Sequence, residues 1–223
     1  MGIIVGISQV SDGSMLDRTN TLNPEVLQNR RVYLDALGIT VANTTRVCVT
    51  YQREDFLRYF LVNDDIKNHG MTDDAIPVAD MLVTVEKDQA LFLGIADCVA
   101  AVLYDPINKV LGVAHLGRHS LEQQGGQKAV EFFVKNHRSR PQDIKVWLSP
   151  APSKDNYKIW KLDDKGMKEA TFEQLYAAGI TAENIIDNPA ETDKDLNYFS
   201  YSEFLKGNRH TDGDHAIVAM MTD

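Results

Sequence analysis

The chain is poor in cysteine, in positive charge and in long apolar runs, and each shortage narrows what it can be. Its 223 residues hold two cysteines, Cys48 and Cys98. Two are too few for a disulfide framework, so both thiols are expected to be reduced in a cytoplasmic protein. Lys and Arg number 23 against 32 Asp and Glu, a net charge of −9. That balance excludes general binding to nucleic acid or to an anionic membrane, although a small anion needs only a local basic pocket. No apolar run reaches transmembrane length. Residues 1–6 lack the basic region and long apolar stretch of a secretory signal. Six scattered histidines do not supply the clustered ligands of a multicopper oxidase. Repeats, low-complexity tracts and long linkers are also missing, so one domain is expected over residues 1–223.

What is present concentrates between Ala96 and Ser120. Residues 91–95 with 99–104, and then 110–114, are apolar runs that read as buried strands. Asp105, Pro106 and Asn108 mark the turn between the last two. Cys98 lies at the open end of one strand and His115 closes the other. A hairpin brings such ends together, as a thiolate–imidazole pair or as two metal ligands. Asp97 interrupts an apolar stretch, where an acid needs a partner or a job. Gly117, Arg118, His119 and Ser120 add a polar, permissive loop beside His115.

Around this centre, residues 2–10 read as a first strand. Asn23 and Pro24 open a helix that Gly38 ends, with Arg30 and Arg31 on its solvated face. Residues 46–51 alternate as a strand, with Cys48 in the core, and Gln52 and Glu54 follow it. Glu54 is an oxygen ligand, a general base, or a surface acid paired with Arg53 or Arg58. Residues 68–77 form a polar loop carrying His69. Residues 121–136 read as a helix whose Gly125 and Gly126 would let a backbone approach a phosphate. A strand at 143–148, a helix at 166–179 and segments at 198–204 and 214–221 complete the chain. His210 and His215 are expected to face water around the turn at Asp212, Gly213 and Asp214. Interspersed strands and helices predict an α+β domain with mixed sheets.

The segments Ala96-Asp97-Cys98, Asp105-Pro106 and Ala114-His115-Leu116-Gly117, with strands between them, resemble the signature of the laccase-domain family. This is the YfiH-like group, also called polyphenol oxidases and now regarded as purine nucleoside phosphorylases. Its motif is close to T-A-D-C-x-P-[VI]-[LV] followed by A-H-A-G-W-R-G. Residues 78–84, Trp147-Leu148-Ser149-Pro150-Ala151, Tyr198-Phe199-Ser200-Tyr201 and Asn29-Arg30-Arg31 resemble further family segments in compatible order. The resemblance implies layered mixed sheets with helices on the outer faces. It also implies phosphorolysis of adenosine or inosine, with phosphate as second substrate, at a zinc site. Cys98 and His115 would bind the metal or activate the nucleophile, and Asp97 would orient His115 or hold the loop.

The chain departs from the pattern at named places. Glu54 stands where the family's Q-x-H-G histidine falls, Gln52 keeps the glutamine, and His69-Gly70 keeps the dipeptide further on. Glu54 and His69 are therefore the candidate third ligands, and Gln52, Arg118 and His119 the candidate substrate-binding residues. Two other readings stay open: a metal-free hydrolase with Cys98 as nucleophile and His115 as base, and a non-catalytic binding protein.

Overall fold

The computed structural model describes residues 2–74 and 78–223. Met1 and the end of the expected loop at 68–77 lie outside the described residues. The first half of the chain gives β1 (Gly2–Ile7), α1 (Pro24–Ala36), β2 (Thr44–Arg46), β3 (Tyr59–Leu61), β4 (Met81–Thr84), β5 (Ala90–Ile95), β6 (Val99–Asp105) and β7 (Val110–Leu116). The second half gives α2 (Arg118–Glu122), α3 (Gly125–His137), β8 (Lys145–Leu148), β9 (Lys158–Ile159), β10 (Lys165–Gly166), α4 (Met167–Ala177), β11 (Ile185–Asp187), α5 (Tyr201–Leu205) and β12 (His215–Thr222).

Two mixed sheets carry the fold. One runs β1-β12-β5-β2 and the other β11-β8-β6-β7-β4-β3. Leu91 and Leu93 of β5, with Ile217 and Ala219 of β12, pack against Ala100, Val102, Leu111 and Val113 of the β6–β7 hairpin. The alternate residues Phe92, Val218 and Met220 face Tyr33 and Leu34 of α1. On the far side, Ala101, Leu103 and Ala114 meet Val130 and Phe133 of α3 and Met167 and Leu175 of α4. The layers are thus helix, sheet, sheet, helix, which is the expected α+β arrangement. Strands buried on both faces need apolar residues at every position, and this explains the unbroken runs in the sequence.

Several local expectations change. The strand expected at 46–51 is confined to Thr44–Arg46. Beyond it Cys48 makes only an isolated bridge to Val78 and is half-buried rather than in the core. The first strand stops at Ile7. Arg30 is 1% exposed, not on a solvated face. Its Nε donates to the Met15 carbonyl at 2.9 Å and its Nη1 to that of Met71 at 2.8 Å, so loop carbonyls replace water. The helix expected at 121–136 is broken by Gln124, which is left-handed at φ 64°. A Cβ at Gly125 would lie 2.0 Å from Ser120 Oγ. The Gly126 amide donates to Gln174 Oε1 of α4 at 2.9 Å. These two glycines therefore serve helix packing rather than a phosphate. His210 is exposed, but His215 is fully buried as the first residue of β12, edge-on to the Tyr198 ring. No helix among the described residues is long and apolar enough to cross a membrane.

Between β5 and β6 the chain passes from one sheet to the other in three residues. Asp97 turns it at φ 71°, a left-handed conformation that Asp tolerates better than most side chains. Its Oδ1 accepts from Thr192 Oγ1 and its Oδ2 from the Ser202 amide, both at 2.7 Å. The crossing is thereby pinned to the last third of the chain.

Candidate functional site

The hairpin pairs Ala100 with His115 and Val99 with Leu116, which sets Cys98 beside the His115 end. Gly117 follows directly. A Cβ at Gly117 would lie 2.6 Å from His115 Cε1, 2.9 Å from its Nε2 and 3.2 Å from Cys98 Sγ. The imidazole and the thiol therefore converge on one point that only a residue without a side chain leaves free. The imidazole is 2% exposed, and among the described residues neither ring nitrogen has a hydrogen-bond partner. Burial, helped by Arg53 and His119, pushes His115 down to about 4, so it is neutral at pH 7. Burial pushes the Cys98 thiol up to about 12. The hydroxyl of Tyr51 lies 3.9 Å from its sulfur. A reactive cysteine needs the opposite shift and a hydrogen bond to its base. Cys98 has neither, so the metal-free nucleophile reading loses its footing.

These groups open onto a cavity of about 740 Å³. Of the sequence candidates, Gln52, Asp97, Cys98, His115, Arg118 and His119 all line it, whereas Glu54 and His69 do not. Glu54 is exposed, and its carbonyl accepts from Gln123 Nε2 at 2.7 Å. His69 faces Asp73, Nδ1 to Oδ2 at 3.2 Å. His119 stacks on Phe56, with centroids 4.7 Å apart. Its Nε2 lies 3.2 Å from Arg118 Nη2. Arginine only donates, so this nitrogen accepts, and Nδ1 carries the proton toward Glu122 at 3.7 Å.

Five further cavity residues escaped the sequence reading: Arg18, Tyr51, Tyr157, Tyr201 and Asp214. The Arg18 guanidinium sits 4.3 Å above the Tyr201 ring and bonds to Asp212 and Asp214. Asp214 is 3% exposed. Burial raises it to about 7 against the pull of Arg18, with Asp212 and Asp97 adding to the rise. The one hint in the sequence is that Asp214, with His215, stands just before the apolar run that starts at Ala216.

Residues 16–172 match the family model described as multi-copper polyphenol oxidoreductase laccase. The chain belongs to this laccase-domain family. It is 34% identical over 93 residues to purine nucleoside phosphorylase YlmD of Bacillus subtilis, a match covering 42% of this chain and 32% of that protein. It is 32% identical over 117 residues to a purine nucleoside phosphorylase of Deinococcus radiodurans, covering 52% and 42%. The chain thus spans less than half the length of these two relatives. Its fold matches the crystal structure of the hypothetical protein YfiH of Bacillus licheniformis at a TM-score of 0.83 and 20% identity, over 99% of this chain and 93% of that one. YlmD of Geobacillus stearothermophilus matches at 0.81 and 22% identity, over 100% and 93%. These two likenesses show the fold, over nearly the whole of both chains in each case. As metal donors its cavity offers a thiol and an imidazole side by side. Among the described residues no group of three or more His, Cys, Asp or Glu is placed to hold an ion.

Proposed function

We propose that this laccase-domain chain is an enzyme that cleaves the N-glycosidic bond of purine nucleosides, with adenosine and inosine as substrates. The observation that carries the reading is the buried, unpartnered imidazole of His115 beside Cys98 on the cavity wall. A polar group left unsatisfied in a protein interior costs stability, and a ligand that pairs with it recovers that cost. The cavity volume suits a nucleoside. Tyr51, Tyr157 and Tyr201 give it flat apolar surface for a base. Breaking the bond builds positive charge on the ribose and leaves an electron pair on the purine. The carboxylate of Asp97, fixed by Thr192 and Ser202, suits the ribose side. Phosphate is the acceptor that the relatives' names imply, with Arg118, His119 and Gln52 facing it.

Zinc at this site would take Cys98 Sγ and one ring nitrogen of His115. A catalytic zinc holds three protein ligands and a water. Glu54 and His69 lie off the cavity wall, so the donor set stops at two and does not fit a resident zinc. Dialysis against a chelator is expected to leave the rate within about twofold. A loss of activity that zinc restores would show that a third ligand is recruited.

Replacing Cys98 by Ser, or His115 by Ala, is expected to lower base release from inosine by ~100-fold or more while thermal unfolding stays cooperative. Base release measured with phosphate present checks this. Full activity in both variants would overturn the site.

A further inference from the structure

Asp214 is the cavity's unassigned acid, and its surroundings give it one chemical use. It reaches the cavity from just before β12, while Arg18, its partner, arrives from the segment before α1. One oxygen, Oδ1, is held by Arg18 Nη2. No protein hydrogen bond to Oδ2 is formed among the described residues. The backbone of Asp214 is fixed as well: its amide donates to Ser14 Oγ at 3.1 Å, and its carbonyl accepts from the Met15 amide at 2.8 Å. The carboxyl is thus rigidly aimed, has one oxygen to spare and lines the cavity.

The acid, imidazole and thiol groups nearest the Cys98 end of the cavity are committed elsewhere. Both oxygens of Asp97 already accept hydrogen bonds. The proton of His119 points toward Glu122. His115 is neutral. Cys98 holds its proton too tightly to give it up near pH 7. The purine, meanwhile, leaves as an anion unless it is protonated as the bond breaks.

We propose that Asp214 is the general acid that protonates the departing purine. This rests on the nucleoside-cleaving reading above. In the step, the C1′–N9 bond breaks and its electron pair goes to the purine. The carboxyl proton of Asp214 passes to purine N7, and an acceptor oxygen bonds to C1′. The acceptor gives up its proton, which restores Asp214. Arg18 stabilises the carboxylate formed in between, and Tyr201 holds Arg18 in place through its ring face. The charged and titratable groups facing Asp214 are Arg18, Asp212 and Asp97, and its own charge acts on Tyr51 and Cys98. Its position near 7, set by burial, is the range in which a general acid works best at neutral pH.

The test uses a leaving group that needs no proton. 7-Methylguanosine already carries positive charge on its imidazole ring, so an acid contributes little to its cleavage. Asp214→Asn is expected to lower kcat/KM for inosine by ~100-fold or more. On 7-methylguanosine the same variant should lose no more than about threefold. In the unmodified protein, the rate with inosine should fall as pH rises through about 7, because the acid form is the active one. The ratio of 7-methylguanosine to inosine turnover should climb over the same range. This second measurement stands even if the variant does not fold. Equal losses on both substrates, or no loss on inosine, would overturn the role of Asp214 and leave the nucleoside reading intact. No base release from either substrate by the unmodified protein would overturn both.

Discussion

Gly117→Ala is expected to abolish base release, by ~100-fold or more, in a protein that still folds. The backbone at Gly117 has φ −78° and ψ 173°, which any residue adopts, so the substitution brings no conformational strain. The damage is steric and aimed. The new methyl would overlap His115 Cε1 and Nε2 and press on Cys98 Sγ. The ring is enclosed and must shift by a sizeable fraction of an ångström. Misplacing a reacting group by about 1 Å costs on the order of a hundredfold in rate. Overpacking of this kind costs about 1–3 kcal/mol in stability. Kinetics with inosine and thermal unfolding on the same preparation separate the two effects. A fully active alanine variant would mean that the convergence on Gly117 has no bearing on catalysis.

The second large effect is loss of stability in mild acid. Burial holds both His115 and His215 at about 4 in the folded protein, against 6.5 for the free group. The unfolded chain therefore binds more protons than the native one between those values. The contribution of each histidine is fully present above pH 6.5 and is lost as pH falls toward 4. Each amounts to ~3 kcal/mol over the whole window, large beside a typical total of about 5–15 kcal/mol. Asp214 acts in the opposite sense: held at about 7 rather than 3.8, it gains stability as pH falls. A comparison between variants removes that offset. The stability of His215→Phe relative to the unmodified protein should improve by ~2 kcal/mol between pH 7 and pH 5. Urea denaturation at the two pH values measures it. An unchanged difference would mean that His215 is protonated, or solvated, in the folded state.

The centre of this site was legible because it is local. Cys98 and His115 stand at the two ends of one hairpin, and apolar runs with a turn signal suffice to place hairpin ends together. The layering was legible for a related reason: runs apolar at every position require cover on both faces. The remaining walls were not. Arg18 and Asp214 lie at opposite ends of the sequence, and nothing in either segment names the other. Arg30 reads as a surface residue because its partners are loop carbonyls, which carry no sequence signature. His215 looks like part of a turn because Asp212 and Gly213 precede it, yet the strand starts at that histidine and is enclosed between β1 and β5. Glu54 was placed by analogy of position, but strand β2 ends earlier than the alternation suggests and the chain after it follows another course.

The strand order of the first sheet has a consequence for how the protein is made. β12 comes last in the sequence but lies second in the sheet, between β1 and β5. During synthesis the hairpin with Cys98 and His115 emerges well before β12. The strand that joins β1 to the rest follows every other element of the fold in the sequence. Asp214 and Tyr201 arrive with it. Until then β1 and β5 present unpaired edges, which are prone to pair with another chain. Closing the sheet also demands contacts over most of the chain's length, a slow step for any fold. The nascent chain therefore carries the hairpin wall of the cavity before the walls that hold Tyr201 and Asp214. The cavity is enclosed in one late event, when β12 slots into the gap left between β1 and β5.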